Sequence, residues 1–127
     1  LEGCDLIIEA IAERMDWKQD LYRRIAPHVS PTAVLASNTS GLGINALADV
    51  LPEQPRSRFC GVHFFNPPRY MHLAELIPCA KTEKEVLEGL ETFLVTTLGK
   101  GVVYAKDTPN FIGNRIGMFS ILSTLHH

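Results

Sequence analysis

At 127 residues the chain has the size of one domain and is long enough to bury a sizeable core. Hydrophobic residues at 46% and charged residues at 20% describe a soluble globular protein, and a formal net charge of −2 excludes the basic stripe that would mark a nucleic-acid partner. Cys4, Cys60 and Cys79 are odd in number and lack CxxC spacing, which points away from a disulfide framework or zinc knuckle and towards a reducing compartment; no apolar run nears the roughly 18 residues of a membrane helix, and no signal peptide is visible.

Residues 5–11 form a nearly continuous apolar run, which predicts a strand covered on both faces. Residues 13–28 carry Trp17, Leu21, Tyr22 and Ile25 at helical spacing, with acidic residues early and Arg23-Arg24 late, which predicts an amphipathic helix closed off by Ser30 and Pro31. A second buried-type strand over 33–37 runs into the polar cluster Ser37-Asn38-Thr39-Ser40-Gly41. Strand, helix and strand in that order read as a βαβ unit, and so as an α/β fold: a parallel sheet with helices on its faces. A short helix is expected over 44–51, ended by Pro52 and a polar linker, Glu53-Gln54-Pro55, before third and fourth strands over 58–65 and 73–77. Thr82-Glu83-Lys84-Glu85 has the form of a capping box with Thr82 as the cap; the helix it opens has Val86, Leu87, Leu90, Phe93, Leu94 and Leu98 as its apolar face and Gly99 as its stop. A last strand covers 101–105, and a further helix, carrying Ile112, Ile116, Phe119, Ile121 and Leu122, follows Asp107-Thr108-Pro109.

In open parallel sheets, ligands bind outside the carboxyl ends of the strands. Polar groups stand at three such ends: Glu13 after the first strand, Ser37 to Ser40 after the second, and His63 to Asn66 after the third. One such cluster is ordinarily a turn; three together, with a histidine among them, point to a ligand site. His63 closes one apolar run and Glu75 sits in the middle of the next, so a titratable base is accompanied by a carboxylate that can orient it, the minimum for proton transfer. Their bland readings are a hydrogen-bonded core histidine and a carboxylate on the solvent face of an edge strand. The second sits poorly with Glu75's apolar neighbours Leu73 and Ile77, which share its face.

The ordered set Ser37-Asn38-Thr39-Ser40, His63-Phe64-Phe65-Asn66-Pro67 and Asp107-Thr108-Pro109-x-Phe111-Ile112-x-Asn114-Arg115, preceded by Glu9-Ala10-Ile11-Ala12-Glu13, resembles the 3-hydroxyacyl-CoA dehydrogenase family across essentially the whole chain. The segments His63 to Tyr70 and Gly117-Met118-Phe119-Ser120-Ile121-Leu122 further resemble bacterial members fused to an enoyl-CoA hydratase module. The resemblance implies a part of a Rossmann-like NAD-binding domain over residues 1–108 and the start of a linker helix into a helical domain over 109–127. It implies NAD as cofactor, an acyl-CoA as substrate, and the reversible oxidation of (S)-3-hydroxyacyl-CoA to 3-oxoacyl-CoA in fatty-acid β-oxidation. It also implies a cytoplasmic bacterial parent that is a homodimer or part of a multifunctional β-oxidation protein. His63 matches the catalytic base, and an imidazole of ordinary pKa, near 6.5, suits that task. Glu75 matches its partner carboxylate, Ser40 the serine near the nicotinamide and the substrate hydroxyl, and Asn114 the asparagine that hydrogen-bonds the reacting oxygen. Glu13, Lys18, Ser40 and Asn66 match cofactor-contacting positions. Taken alone, Ser40 and Asn66 read as turn residues, Glu13 and Lys18 as surface charges on a helix, and His28 and His72 as exposed side chains without a role.

The departure from the family is large. The glycine-rich G-x-G-x-x-G turn that holds a dinucleotide pyrophosphate is not among these residues, nor is the acidic residue that follows it by about 20 positions to hold the ribose. The chain opens on Leu1 without a Met and ends in a helical pattern at Leu125-His126-His127, where the histidines fit a native helix and the start of a purification tag equally well. The expectation is therefore a piece of a longer enzyme that lacks the first βαβ strands, exposes an unpaired sheet edge and is inactive alone. The alternative is a non-catalytic binding or interaction module derived from the same family, which would not need His63, Glu75, Ser40 and Asn114 together.

Overall fold

The computed structural model describes residues 1–107, in which five strands form one sheet. They are β1 (Leu6–Glu9), β2 (Val34–Ser37), β3 (Phe59–Phe64), β4 (Leu73–Pro78) and β5 (Gly101–Tyr104), and they lie side by side in that order. Helix α1 (Met15–Ile25) and a 3-10 turn (Ala26–His28) join β1 to β2. Two short helices, α2 (Ile44–Ala48) and α3 (Glu53–Ser57), join β2 to β3, and α4 (Lys84–Thr92), continued by a π-helical turn (Phe93–Thr97), joins β4 to β5. Gly99, at φ +68°, ends that last helical run, as its position in the sequence predicts. Both residues with no sequence-assigned role, His28 and His72, are exposed.

Strands β1 to β3 are parallel, and so are β4 and β5, but β3 and β4 run antiparallel, so the sheet is mixed and not wholly parallel as expected. The reason is the length of the connection. Residues 65–72 are too few for the crossover of a dozen or more residues that a parallel pair requires, and they return the chain directly.

Alternation along the strands divides the core. Leu35, Phe59 and Ile77 pack on one face against Tyr22 of α1 and Ile44 and Leu47 of α2, with the Tyr22 and Phe59 rings edge to face at 5.5 Å. Ala36, Cys60, Val62, Ala74 and Leu76 pack on the other against Leu90 and Leu94. Burial in this second layer pushes the Cys60 thiol up to about 12, so it is an inert core residue. Gly61 allows α2 to seat itself: a Cβ there would lie 2.7 Å from Ile44 Cδ1 and 3.2 Å from Ile77 Cβ. Gly61→Ala is expected to cost about 1–3 kcal/mol by overpacking, read as a lowered midpoint in urea unfolding.

Three local expectations are corrected. Residues 53–55, read as a linker, belong to α3, because Pro52 precedes the helix as its N-cap (φ −57°) and Pro55 lies in its first turn, where no N–H is needed. Thr82 is not a helix cap: Glu83 precedes α4 without a side-chain cap, and the Thr82 hydroxyl donates to the Phe59 carbonyl (2.6 Å) while accepting the Cys79 N–H (2.9 Å). Trp17 does not face the core. It is 51% exposed under the Arg14 guanidinium at 4.2 Å, and Lys18, 1% exposed, occupies the inward position beside Tyr22. The helix expected after Asp107, with Asn114, lies outside the described residues. No described helix is long and apolar enough to cross a membrane.

Candidate active site

The site is built from period-two alternation. Glu9 ends β1, Ser37 ends β2 and His63 lies one residue from the end of β3, so all three stand at the carboxyl end of the parallel strands. They are on the α1/α2 face of the sheet, because Ile7, Leu35 and Phe59 lie two or four residues earlier in the same strands. Glu75 joins them from β4. The antiparallel register sets it directly opposite His63, and its Oε1 lies 3.1 Å from the imidazole Nδ1. Glu75 is wholly buried and His63 is 4% exposed, with Phe65 packed on the ring at a centroid distance of 4.5 Å. The bland reading of Glu75 as an edge-strand surface carboxylate therefore fails, since β4 lies between β3 and β5. When Nδ1 donates to the carboxylate, the basic lone pair of the imidazole is on Nε2.

A second polar cluster lies beside the first. Glu9 is 5% exposed and holds four donors: Ser37 Oγ at 2.7 Å and the Tyr22 hydroxyl on Oε1, the Ile11 N–H at 2.9 Å and Lys18 Nζ at 2.5 Å on Oε2. Burial by itself would raise the Glu9 carboxyl, but the donors from Lys18, Tyr22, Ser37 and Ile11 outweigh it and hold the group below its ordinary value. Tyr22, buried and bonded to that carboxylate, is pushed far up and stays a neutral donor. Lys18 also donates to the Ile11 carbonyl at 3.1 Å and lies 3.7 Å from Glu13 Oε1.

Glu13 carries the cluster outwards. Its side chain is 44% exposed, Oε1 accepts from Thr39 Oγ1 and Oε2 accepts the Ser40 N–H, both at 2.7 Å. The loop after β2 is tied to β3 as well, because Asn38 Oδ1 accepts the Phe64 N–H at 3.0 Å. Among the sequence-assigned residues, then, His63 meets Glu75, and Glu13 meets both Ser40 and Lys18. Asn66 is exposed in the turn beyond β3, and Asn114 lies outside the described residues. Sequence reasoning gave no site role to Glu9 and Tyr22, and it marked Asn38 and Thr39 only as members of the Ser37–Ser40 cluster. A signal for the first two was present: a lone carboxylate closing an apolar strand, and a Lys18–Tyr22 pair at i, i+4 whose polar tips reach one point.

The description "3-hydroxyacyl-CoA dehydrogenase, NAD binding domain" belongs to the sequence family that matches residues 1–108. Over 127 residues the chain is 43% identical to a protein of Deinococcus radiodurans named as a 3-hydroxyacyl-CoA dehydrogenase, covering 100% of this chain and 37% of that protein. It is 48% identical over 119 residues to a protein of Rickettsia felis named as a fatty acid oxidation complex trifunctional enzyme, covering 94% of this chain and 16% of that one. The crystal structure of M. tuberculosis FadB2 superimposes with a TM-score of 0.91 at 34% identity, covering 99% of this chain and 44% of that one. The chain thus spans between 16% and 44% of the length of these relatives, and the cofactor named for the matching domain is NAD. With the family model matching residues 1–108 and the superposition covering nearly the whole chain, the chain belongs to the NAD-binding-domain family of the 3-hydroxyacyl-CoA dehydrogenases.

Proposed function

We propose that the chain forms the hydroxyl-oxidising half of an NAD-dependent 3-hydroxyacyl-CoA dehydrogenase, which reversibly converts (S)-3-hydroxyacyl-CoA to 3-oxoacyl-CoA in fatty-acid β-oxidation. The observation that carries this reading is the buried His63–Glu75 pair at the carboxyl end of the sheet. Bound NAD would supply the hydride acceptor for the carbinol carbon. The chain's own task is to manage the proton and the oxygen. Nε2 of His63 takes the hydroxyl proton as the carbonyl forms, and Glu75 holds the ring by Nδ1 and stabilises the imidazolium that results, as the carboxylate of a hydrolase triad does. Ser40, itself exposed and anchored by its N–H to Glu13, is assigned to the substrate hydroxyl and the nicotinamide side. Asn114 is assigned to the reacting oxygen.

The residues present fit the nicotinamide-ribose end of the cofactor. Glu13 offers a half-exposed carboxylate beside Ser40, and Asn66 stands exposed at the next strand end. Lys18 belongs to the same group but acts through Glu13, since its ammonium is buried between two carboxylates. The glycine turn for the pyrophosphate is not among these residues. Strands that bring it would pair with the open edge of β1, where Ile8 is 39% exposed. In this reading residues 109–127 begin the linker helix into a helical domain. The parent is a cytoplasmic bacterial enzyme, a homodimer or part of a multifunctional β-oxidation protein, a context supported by the trifunctional relative.

The test is Glu75→Gln in the complete enzyme. The amide keeps the shape of the carboxylate but cannot stabilise the imidazolium, so kcat for 3-hydroxyacyl-CoA oxidation is expected to fall by about 10²–10⁴-fold while the Kd for NAD stays within about twofold. Turnover at the unsubstituted rate would remove the pair from the mechanism.

A further inference from the structure

The turn between β3 and β4 carries Asn66, yet little of its own sequence holds it in place. Residues 66–72 are all exposed. Pro67 and Pro68 have no N–H to donate, and the turn's internal bonds run from the Tyr70 and Met71 N–H groups to the Pro67 carbonyl, both at 3.0 Å. Among the described residues, no side chain of 66–72 forms a hydrogen bond with the rest of the protein.

The hold comes from Lys100, 32 and 29 residues away. Its ammonium donates to the Pro68 carbonyl and to the Met71 carbonyl, the second at 2.7 Å, and lies 5.8 Å from the centroid of the Phe64 ring. An ammonium has three donors and no acceptor, so one group can bridge two carbonyls. No carboxylate among the described residues competes for it. Lys100 stands on a firm base. Its own N–H donates to the Leu94 carbonyl at 2.9 Å, and Gly101, which opens β5, donates its N–H to the His72 carbonyl at 3.0 Å. A Cβ at Gly101 would lie 2.8 Å from the His72 ring, so the far end of the turn lies close against β5. At the near end, Asn38 holds the Phe64 N–H and Phe65 packs on the His63 ring. Both ends are therefore fastened by the sheet, and Lys100 fastens the middle.

We propose that Lys100 is a positioning residue: by bridging the Pro68 and Met71 carbonyls it fixes the turn so that Asn66 meets the bound cofactor. The inference rests on the dehydrogenase reading, in which Asn66 is assigned to NAD, and it names the group through which that asparagine is placed.

The experiment is a double-mutant cycle in the complete enzyme, with Lys100→Met, Asn66→Ala and the two combined. Methionine keeps an unbranched stem beside Phe64 and loses the donors. The Kd for NAD is measured by calorimetry at a temperature where all four proteins are folded. Lys100→Met is expected to raise it by about threefold to tenfold, the range of one or two lost hydrogen bonds. The double variant is expected to bind no more weakly than Asn66→Ala alone, because a group that acts through Asn66 has nothing left to place once that side chain is gone. Two outcomes would overturn the proposal while leaving the reading in force: a Lys100→Met enzyme with the unsubstituted Kd and a lowered Tm, which makes the bridge structural only, or factors that simply multiply in the double variant. If Asn66→Ala leaves the Kd unchanged, the assignment of Asn66 to the cofactor falls and this inference falls with it. If the unsubstituted enzyme does not oxidise 3-hydroxyacyl-CoA, the dehydrogenase reading itself is lost.

Discussion

Substitution of His63 by alanine in the complete enzyme is expected to lower kcat for hydroxyacyl-CoA oxidation by about 10²–10⁴-fold, the range that a positioned general base contributes. The fall should appear in kcat and kcat/KM alike, because the lost interaction develops only as the hydroxyl proton leaves. Binding of NAD, measured by calorimetry, should stay nearly intact, since the imidazole is assigned to the substrate hydroxyl and not to the cofactor. The substitution also leaves Glu75 buried without its cross-strand partner, so Tm is expected to fall as well. For that reason the rate must be compared at a temperature where both proteins are folded. A His63→Ala enzyme that keeps its rate there would dismiss the histidine as the base.

The largest effect on stability is expected from Lys18→Met. It removes the ammonium from a carboxylate that is 5% exposed, and breaking a buried pair from one side costs about 3–5 kcal/mol, because the remaining charge is stranded. Tyr22, Ser37 and the Ile11 N–H still donate to Glu9, but none carries a charge. Glu9→Gln combined with Lys18→Met makes the site neutral and is expected to recover most of the loss, measured as urea midpoints at constant slope. The pH dependence has a definite sign. Glu9 lies below its ordinary value of 4.5 in the folded protein, so its contribution is whole above that pH and is lost as the pH falls through the lower folded-state value. The double variant should lack that part of the acid loss. If Lys18→Met alone is as stable as the unsubstituted protein, the pair has no structural role.

The extent to which the site could be read in advance follows from the range of the interactions that make it. Strand and helix positions come from periodicity within ten or so residues, and the five strands and the helix after β1 all appear where the apolar patterns place them. The residue types of His63, Ser40 and Glu13 are likewise carried by short motifs at or just beyond the ends of those strands, and Glu75 stands out as a carboxylate inside an apolar run. The direction of β4 was legible too, had the length of 65–72 been weighed against what a parallel crossover needs.

Other features belong to tertiary structure alone. Whether Lys18 or Trp17 faces the sheet is not settled by an amphipathic pattern that contains both; it is settled by Glu9, whose buried carboxylate needs a cation, so the helix presents Lys18 inwards and leaves the larger apolar ring outside. The hydrogen bond from the Ile44 N–H of α2 to the Asp107 carboxylate spans 63 residues, and nothing local to Gly43 announces it.

By itself the sequence determined the order of the five strands and of the helices after β1 and β4, and it marked the candidate residues for the chemistry, because both are written in patterns a few residues long. Only the tertiary structure decided which of those residues touch. The antiparallel register of β3 and β4 put Glu75 opposite His63, and burial turned Glu9 and Lys18 from expected surface or strand residues into the pair that anchors Glu13. Contacts of that kind depend on strand register and on the cost of leaving a buried charge unpaired, and neither is a property of any single stretch of chain.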